Sequence, residues 1–140
     1  MRLKRKAIIK MHKIKVTQIK EKVKELFLKA NYHIDKDLML RLEHALKEET
    51  SPIGKTVLQM IIKNNKIALR EEVPICQDTG LAVLFIELGQ EVRITDGDFV
   101  EAINQGVKEA YQEVYLRESV VDDPVFERKN TKGIILKNIK

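Results

Sequence analysis

The chain has 140 residues, 44% of them hydrophobic and 34% charged, with a single cysteine. This length and apolar content predict one domain with a real core, and the lone cysteine excludes an internal disulfide and fits a reducing, cytoplasmic setting. No apolar run reaches the ~18 residues of a membrane span, and Ala7-Ile8-Ile9 is too short for the apolar stretch of a secretory signal.

The net charge of +5 is local. Residues 1–29 carry eleven Lys or Arg against Glu21 and Glu25, a balance of +9, which leaves −4 for the rest. A basic arm of this kind can touch nucleic acid, but solvated helix lysines explain it more simply. The only aromatic there is Phe27, on an apolar face, so base stacking has no platform and nucleic acid is not an expected partner.

Val16, Ile19, Val23, Leu26, Phe27 and Ala30 recur at three- and four-residue spacing, which predicts an amphipathic helix over 15–30 with a lysine-rich outer face. Asp35 is placed to cap a second helix reaching about Lys47, with the apolar line Leu38, Leu42, Ala45 and Leu46. Ser51-Pro52 pairs a cap with a first-turn proline, and Ile53, Val57, Met60 and Ile61 form that helix's expected buried face. Asn64-Asn65 reads as its break, with a short helical piece over 66–70. Gly54-Lys55-Thr56 hints at a phosphate loop, yet Glu49 stands where its first glycine belongs and no strand precedes it.

Beyond residue 80 the period turns extended. Leu81–Leu88 reads as a strand, and Gly89-Gln90 as a turn back into Glu91–Ile94, a hairpin or two neighbouring strands. Asp98 with Glu101 three residues on predicts a helix start, and Phe99, Ile103, Val107, Ala110 and Val114 its inner line. That helix stops before Asp122-Asp123-Pro124, and the last sixteen residues are polar, basic and weakly patterned. The fold class is α+β: N-terminal helices packed on a small sheet, followed by a further long helix. Residues 1–14 are expected to be a basic tail, 15–131 the domain and 132–140 a divergent C-terminal tail.

Between the helices and the sheet lies Pro74-Ile75-Cys76-Gln77-Asp78-Thr79-Gly80, with a thiol, an amide, a carboxylate and a hydroxyl on consecutive residues. A strand would send alternate side chains to opposite faces, so convergence on one ligand needs a loop, and Pro74 and Gly80 suit one. Cys76 by itself allows three readings: an inert buried thiol, a nucleophile needing a histidine that His12, His33 and His44 do not obviously supply, or a metal ligand whose partners lie elsewhere.

Residues 74–80, followed by Leu-Ala-Val-Leu-Phe to position 85, resemble the first cluster-binding motif of the class I fumarate hydratases and the alpha subunit of L-tartrate dehydratase, the iron-sulfur hydro-lyases. Ser51-Pro-Ile-Gly-Lys55, Ala102-Ile-Asn-Gln-Gly-Val107, Tyr115 to Pro124 and Arg128-Lys-Asn-Thr131 are similar to family segments in the same order, so the likeness runs from about Val16 to Thr131. It implies a [4Fe-4S] cluster held by three cysteines, with a free iron that binds substrate and stabilises the hydroxide leaving a C4 dicarboxylate such as malate or tartrate. By the same resemblance Cys76 is a cluster ligand, and Gln77 and Asp78 contact substrate. Asp78 and Thr79 then sit near the hydroxyl whose proton moves, and Arg117 clamps a carboxylate. The bland alternatives are that Asp78 and Thr79 only bond the turn, and that Arg117 pairs with Glu113 or Glu118.

The departures are equally specific. The family's alpha unit is about twice this length and supplies two further cysteines, and after Thr131 it continues Gly-Asp-Asn-Thr-Pro-Ala where this chain reads Lys132-Gly-Ile-Ile-Leu-Lys137. The expectation is an N-terminal portion of a hydro-lyase, from a truncated or shifted frame, needing the remaining part and a beta subunit and assembling as an oligomer. The competing class is a non-catalytic interaction module or remnant without a cluster.

Overall fold

The computed structural model describes residues 11–76 and 81–130. Its element order is β1 (His12–Lys15), α1 (Val16–Tyr32), α2 (Lys36–Glu48), α3 (Pro52–Glu71), β2 (Val92–Thr95) and α4 (Phe99–Glu113). The architecture is α+β, helices packed with a two-stranded sheet.

β1 and β2 pair in parallel, His12 opposite Val92 through Lys15 opposite Thr95. His12–Lys15 overlaps the basic tail expected from the sequence, where nothing local marks a strand, because the pairing partner lies some eighty positions downstream. Each strand feeds a helix. Lys20 pairs with Glu109 at 2.9 Å and, one turn further along both helices, Lys24 pairs with Glu113, so α1 and α4 run in the same direction. Two lysines of the basic N-terminal third thus tie α1 to α4, and Phe27 is stacked on Tyr111 with ring centroids 5.2 Å apart.

The α1–α4 seam is the core. Val23, Ile103, Val107, Tyr111 and Leu116 are buried there together with Ala82, and Phe99 and Val114 pack against them half-buried, as the expected inner line of α4 requires. The seam is tight because position 106 is glycine: a Cβ there would lie 2.5 Å from the Lys20 carbonyl oxygen and 3.1 Å from Val23 Cβ.

The helix starts are as the sequence chemistry expects. Asp35 accepts from the Asp37 N–H, Ser51 from Gly54 and Asp98 from Glu101, each satisfying one of the donors a helix N-terminus leaves over. Three expectations need correction. Asn64-Asn65 does not break α3, which is continuous to Glu71: the Asn65 amide folds back on its own helix, donating to the Ile61 carbonyl (2.9 Å), while Asn64 bonds outside it. The buried residues of α3 are Ile62, Asn65 and Ala68, whereas Ile53, Val57, Met60 and Ile61 are exposed, since α2 meets α3 on the other side of that stripe. Residues 81–88 do not form a hairpin with β2. The Gly89 carbonyl accepts from the Val92 N–H (3.0 Å), so the turn exists, but the ladder partner of β2 is β1 and the apolar run stays outside the sheet.

Candidate active site

Three helix ends meet at the segment carrying Cys76. At the end of α1 the Asn31 carbonyl accepts the Ile75 N–H (2.9 Å). From α3 the Asn64 Nδ2 donates to the Ile75 carbonyl (2.8 Å). Both backbone groups of Ile75 are held, and Cys76 leaves from a fixed point. α3 itself closes at Glu72, whose backbone is left-handed (φ 51°), with the Val73 N–H returning to the Ala68 carbonyl (3.2 Å).

α4 ends in the same way. Tyr115 is left-handed (φ 54°) and the Leu116 N–H returns to the Tyr111 carbonyl (3.0 Å), the hydrogen bond of a Schellman turn, with its accompanying apolar contact between buried Leu116 and Tyr111. A left-handed backbone at tyrosine in place of glycine costs roughly 1–2 kcal/mol, and such a conformation persists only where its surroundings enforce it. Tyr115 is 94% exposed, so the turn is held by its neighbours and not by burial of its own ring.

Between these turns lies a cleft of about 510 Å³ lined, among the described residues, by Pro74, Cys76, Val114, Tyr115, Leu116 and Arg117. Its size falls in the roughly 300–1,000 Å³ range of small-molecule sites. Cys76 and Arg117, distant in sequence, therefore wall one cavity, and both are exposed. Glu113, one of the two surface partners considered for Arg117, pairs with Lys24.

The electrostatics are shaped by the helix ends. Carbonyls at the C-termini of α1, α3 and α4 give the surroundings a negative bias, each worth about 0.3–1 kcal/mol toward a cation. An anionic ligand would thus rely on Arg117. The Tyr32 hydroxyl has its pKa raised above the ordinary 10, first by burial and then by the carboxylates of Glu113 and Glu72, a further sign that the three helix ends lie close together. Gln77, Asp78 and Thr79 lie outside the described residues. Asn31, Asn64 and Tyr115 are participants that sequence reasoning missed; a paired asparagine at the end of an amphipathic stripe was the available signal, and it reads equally well as a breaker.

A three-thiolate cluster does not fit this chain by itself. It has one cysteine, and among the described residues no group of three or more His, Cys, Asp or Glu gathers to hold a metal. Cys76 is one of the three thiols such a cluster would need.

The family model described as fumarate hydratase (Fumerase) matches residues 20–138. The chain belongs to the fumarate hydratase (Fumerase) family. It is 42% identical over 105 residues to a putative L(+)-tartrate dehydratase subunit alpha of Methanocaldococcus jannaschii, covering 74% of this chain and 37% of the relative. Against the L(+)-tartrate dehydratase subunit alpha of Escherichia coli K12 the identity is 30% over 95 residues, covering 68% and 30%. The chain thus spans about a third of the length of the curated relatives it matches. Within the Fumerase match fall the Cys76 loop, the Gly106 seam and the Tyr115–Arg117 turn. No helix among the described residues is long and apolar enough to cross a membrane.

Proposed function

We propose that this chain supplies one wall of the pocket of a [4Fe-4S]-dependent hydro-lyase that adds water to, or removes it from, a C4 dicarboxylate of the fumarate/malate or tartrate type. The observation that carries the reading is the cleft shared by Cys76 and Arg117, in a member of a family whose relatives are named for this chemistry. Arg117 holds a substrate carboxylate through its two-pronged donor set. Gln77 and Asp78 contact the substrate, and Asp78 with Thr79 accepts and returns the proton at the reacting hydroxyl. Cys76, as thiolate, is one of three cluster ligands, the other two coming from the part of the alpha unit that this match leaves uncovered. When bound, the cluster supplies Lewis-acid stabilisation of the charge on the departing oxygen. The word "subunit" in the relatives' names supports a beta-type partner in a larger assembly.

The test uses the chain alone. Millimolar fumarate or L-tartrate should slow alkylation of Cys76 by a neutral maleimide severalfold, acetate at matched ionic strength should not, and Arg117→Ala should abolish the protection. Equal rates with and without dicarboxylate would remove the shared-pocket reading. The single cysteine favours a second reading, a non-catalytic module of the same fold, in which the dicarboxylate protects nothing.

A further inference from the structure

Residues 81–88, Leu-Ala-Val-Leu-Phe-Ile-Glu-Leu, have the composition of a strand buried on both faces but no ladder. Among the described residues none of them makes a backbone hydrogen bond, although over 81–85 the side chains alternate as in a strand. Ala82 and Leu84 turn inward onto the α1–α4 core, while Leu81 (67%), Val83 (69%) and Phe85 (96%) stand in solvent. Behind Phe85 runs an almost wholly apolar groove of about 270 Å³, floored by Ile14, Ile19, Leu26 and Ile94 and reaching Phe99 and Ile103 of α4. An unpaired strand edge beside an apolar groove is a surface built to receive another strand and its cover.

The M. jannaschii relative is matched over 37% of its length, so most of its alpha unit lies outside the region this chain matches. Two parallel strands are also too few to be stable alone, because parallel pairs belong in larger sheets covered on both faces.

We propose that the outward edge of residues 81–88 and the groove behind Phe85 form the docking surface for the remaining portion of a Fumerase-family alpha unit, which adds a strand to this edge and caps the groove. This rests on the family membership and not on the hydro-lyase reading, since docking requires neither cluster nor substrate.

The part of the M. jannaschii relative that the match leaves uncovered is produced as a separate tagged polypeptide and mixed with this chain, without iron. Size-exclusion chromatography with light scattering should give a one-to-one complex, and titration calorimetry should show binding weakened about tenfold or more by Phe85→Ser or Val83→Ser, as for truncation of an apolar anchor. Phe126→Ser, at another exposed aromatic outside the groove, should bind like the parent chain. Because Phe85 hardly touches its own chain, the variants should keep the parent's circular dichroism and thermal melt. Absence of a complex, equal weakening by Phe126→Ser, or a homodimer of this chain that Phe85→Ser dissolves would each overturn the proposal, the last by assigning the face to a second copy. Any of these leaves the Cys76 protection experiment unaffected.

Discussion

Replacing Gly106 with alanine adds one methyl group where α4 meets α1, and the structure sets the size of the penalty. The new Cβ would sit 2.5 Å from the Lys20 carbonyl oxygen, where ordinary contact starts near 3.4 Å, so the helices must part by about 0.9 Å or distort. A gap of that order forfeits a quarter to a half of the dispersion energy at each contact it opens, here along Val23, Val107 and the Phe27–Tyr111 stack. Because the obstacle is backbone and not a mobile side chain, the cost falls at the top of the ~1–3 kcal/mol range for overpacking, and the gain of ~1 kcal/mol for alanine over glycine in a helix offsets only part of it. A net loss of about 2 kcal/mol should lower the urea midpoint by about 1 M for an m-value near 2 kcal/mol/M. The separation would also move Arg117 away from the loop pinned to Asn31, so dicarboxylate protection of Cys76 should weaken in parallel. Gly54→Ala is the internal comparison: its Cβ would meet the flexible Glu49 side chain at 2.7–2.8 Å, and moving that carboxylate loosens its hydrogen bonds from the Thr50 and Ser51 N–H groups, a cost that the ~1 kcal/mol gain for alanine in a helix roughly offsets, so the midpoint should hardly change. A midpoint for Gly106→Ala equal to or above the parent's would refute the close-packed seam.

Asn64→Ala should cost about 1 kcal/mol for one lost hydrogen bond and speed amide exchange at Ile75 and Cys76, while exchange in α4 stays unchanged. Tyr115→Gly should raise stability by up to about 1 kcal/mol, since glycine adopts the left-handed turn without steric cost; a lower melting temperature would show that the tyrosine ring contributes packing that its exposure does not suggest. The Glu109 pKa is lowered from 4.5 by its hydrogen bonds from Lys20 and then Gln105. A carboxylate depressed on folding contributes stability that is present above its unfolded pKa and lost as pH falls through the folded value, so Glu109→Gln should lower stability modestly at neutral pH, converge with the parent at acid pH, and so flatten the limb below about pH 4.5. If the proposed hydro-lyase reading holds, then in an assembly that completes the alpha unit Asp78→Asn should reduce fumarate hydration or tartrate dehydration by two orders of magnitude or more, in the range of lost general acid–base catalysis, and Arg117→Ala should raise KM through the lost carboxylate clamp; unchanged kinetics in both would reject the proposed roles.

What was legible in the sequence follows from the range of the interactions. Asp35, Ser51 with Pro52, and Asp98 announce helix starts because a cap is a bond between residues two or three apart, and the inner line of α4 is visible because one face of one helix meets one partner. β1 was not legible, since His-Lys-Ile-Lys acquires strand character only from a parallel partner some eighty positions away. Asn64-Asn65 was misread because a side-chain amide ends a helix only where it displaces the helix's own backbone bonds: Asn65 donates to the Ile61 carbonyl within an unbroken helix, and Asn64 spends its amide on Ile75. The exposed stripe of α3 was taken for core because an apolar stripe tells that it will be covered, not by what. At the site, Cys76 and Arg117 were named through the family likeness of their local motifs; their meeting depends on two left-handed turns, at Glu72 and Tyr115, at residues with no general preference for that conformation.

The central claim is that the Cys76 loop and the Tyr115–Arg117 turn wall a single cleft. A nitroxide attached to Cys76 tests it directly through paramagnetic broadening of backbone amides. The account predicts strong broadening at Tyr115, Leu116 and Arg117, and clearly weaker broadening in the first turn of α3, which begins twelve residues before Asn64, the residue bonded to Ile75, roughly 18 Å along the helix at 1.5 Å per residue. Sharp signals at Leu116 and Arg117 beside a labelled Cys76 would contradict it.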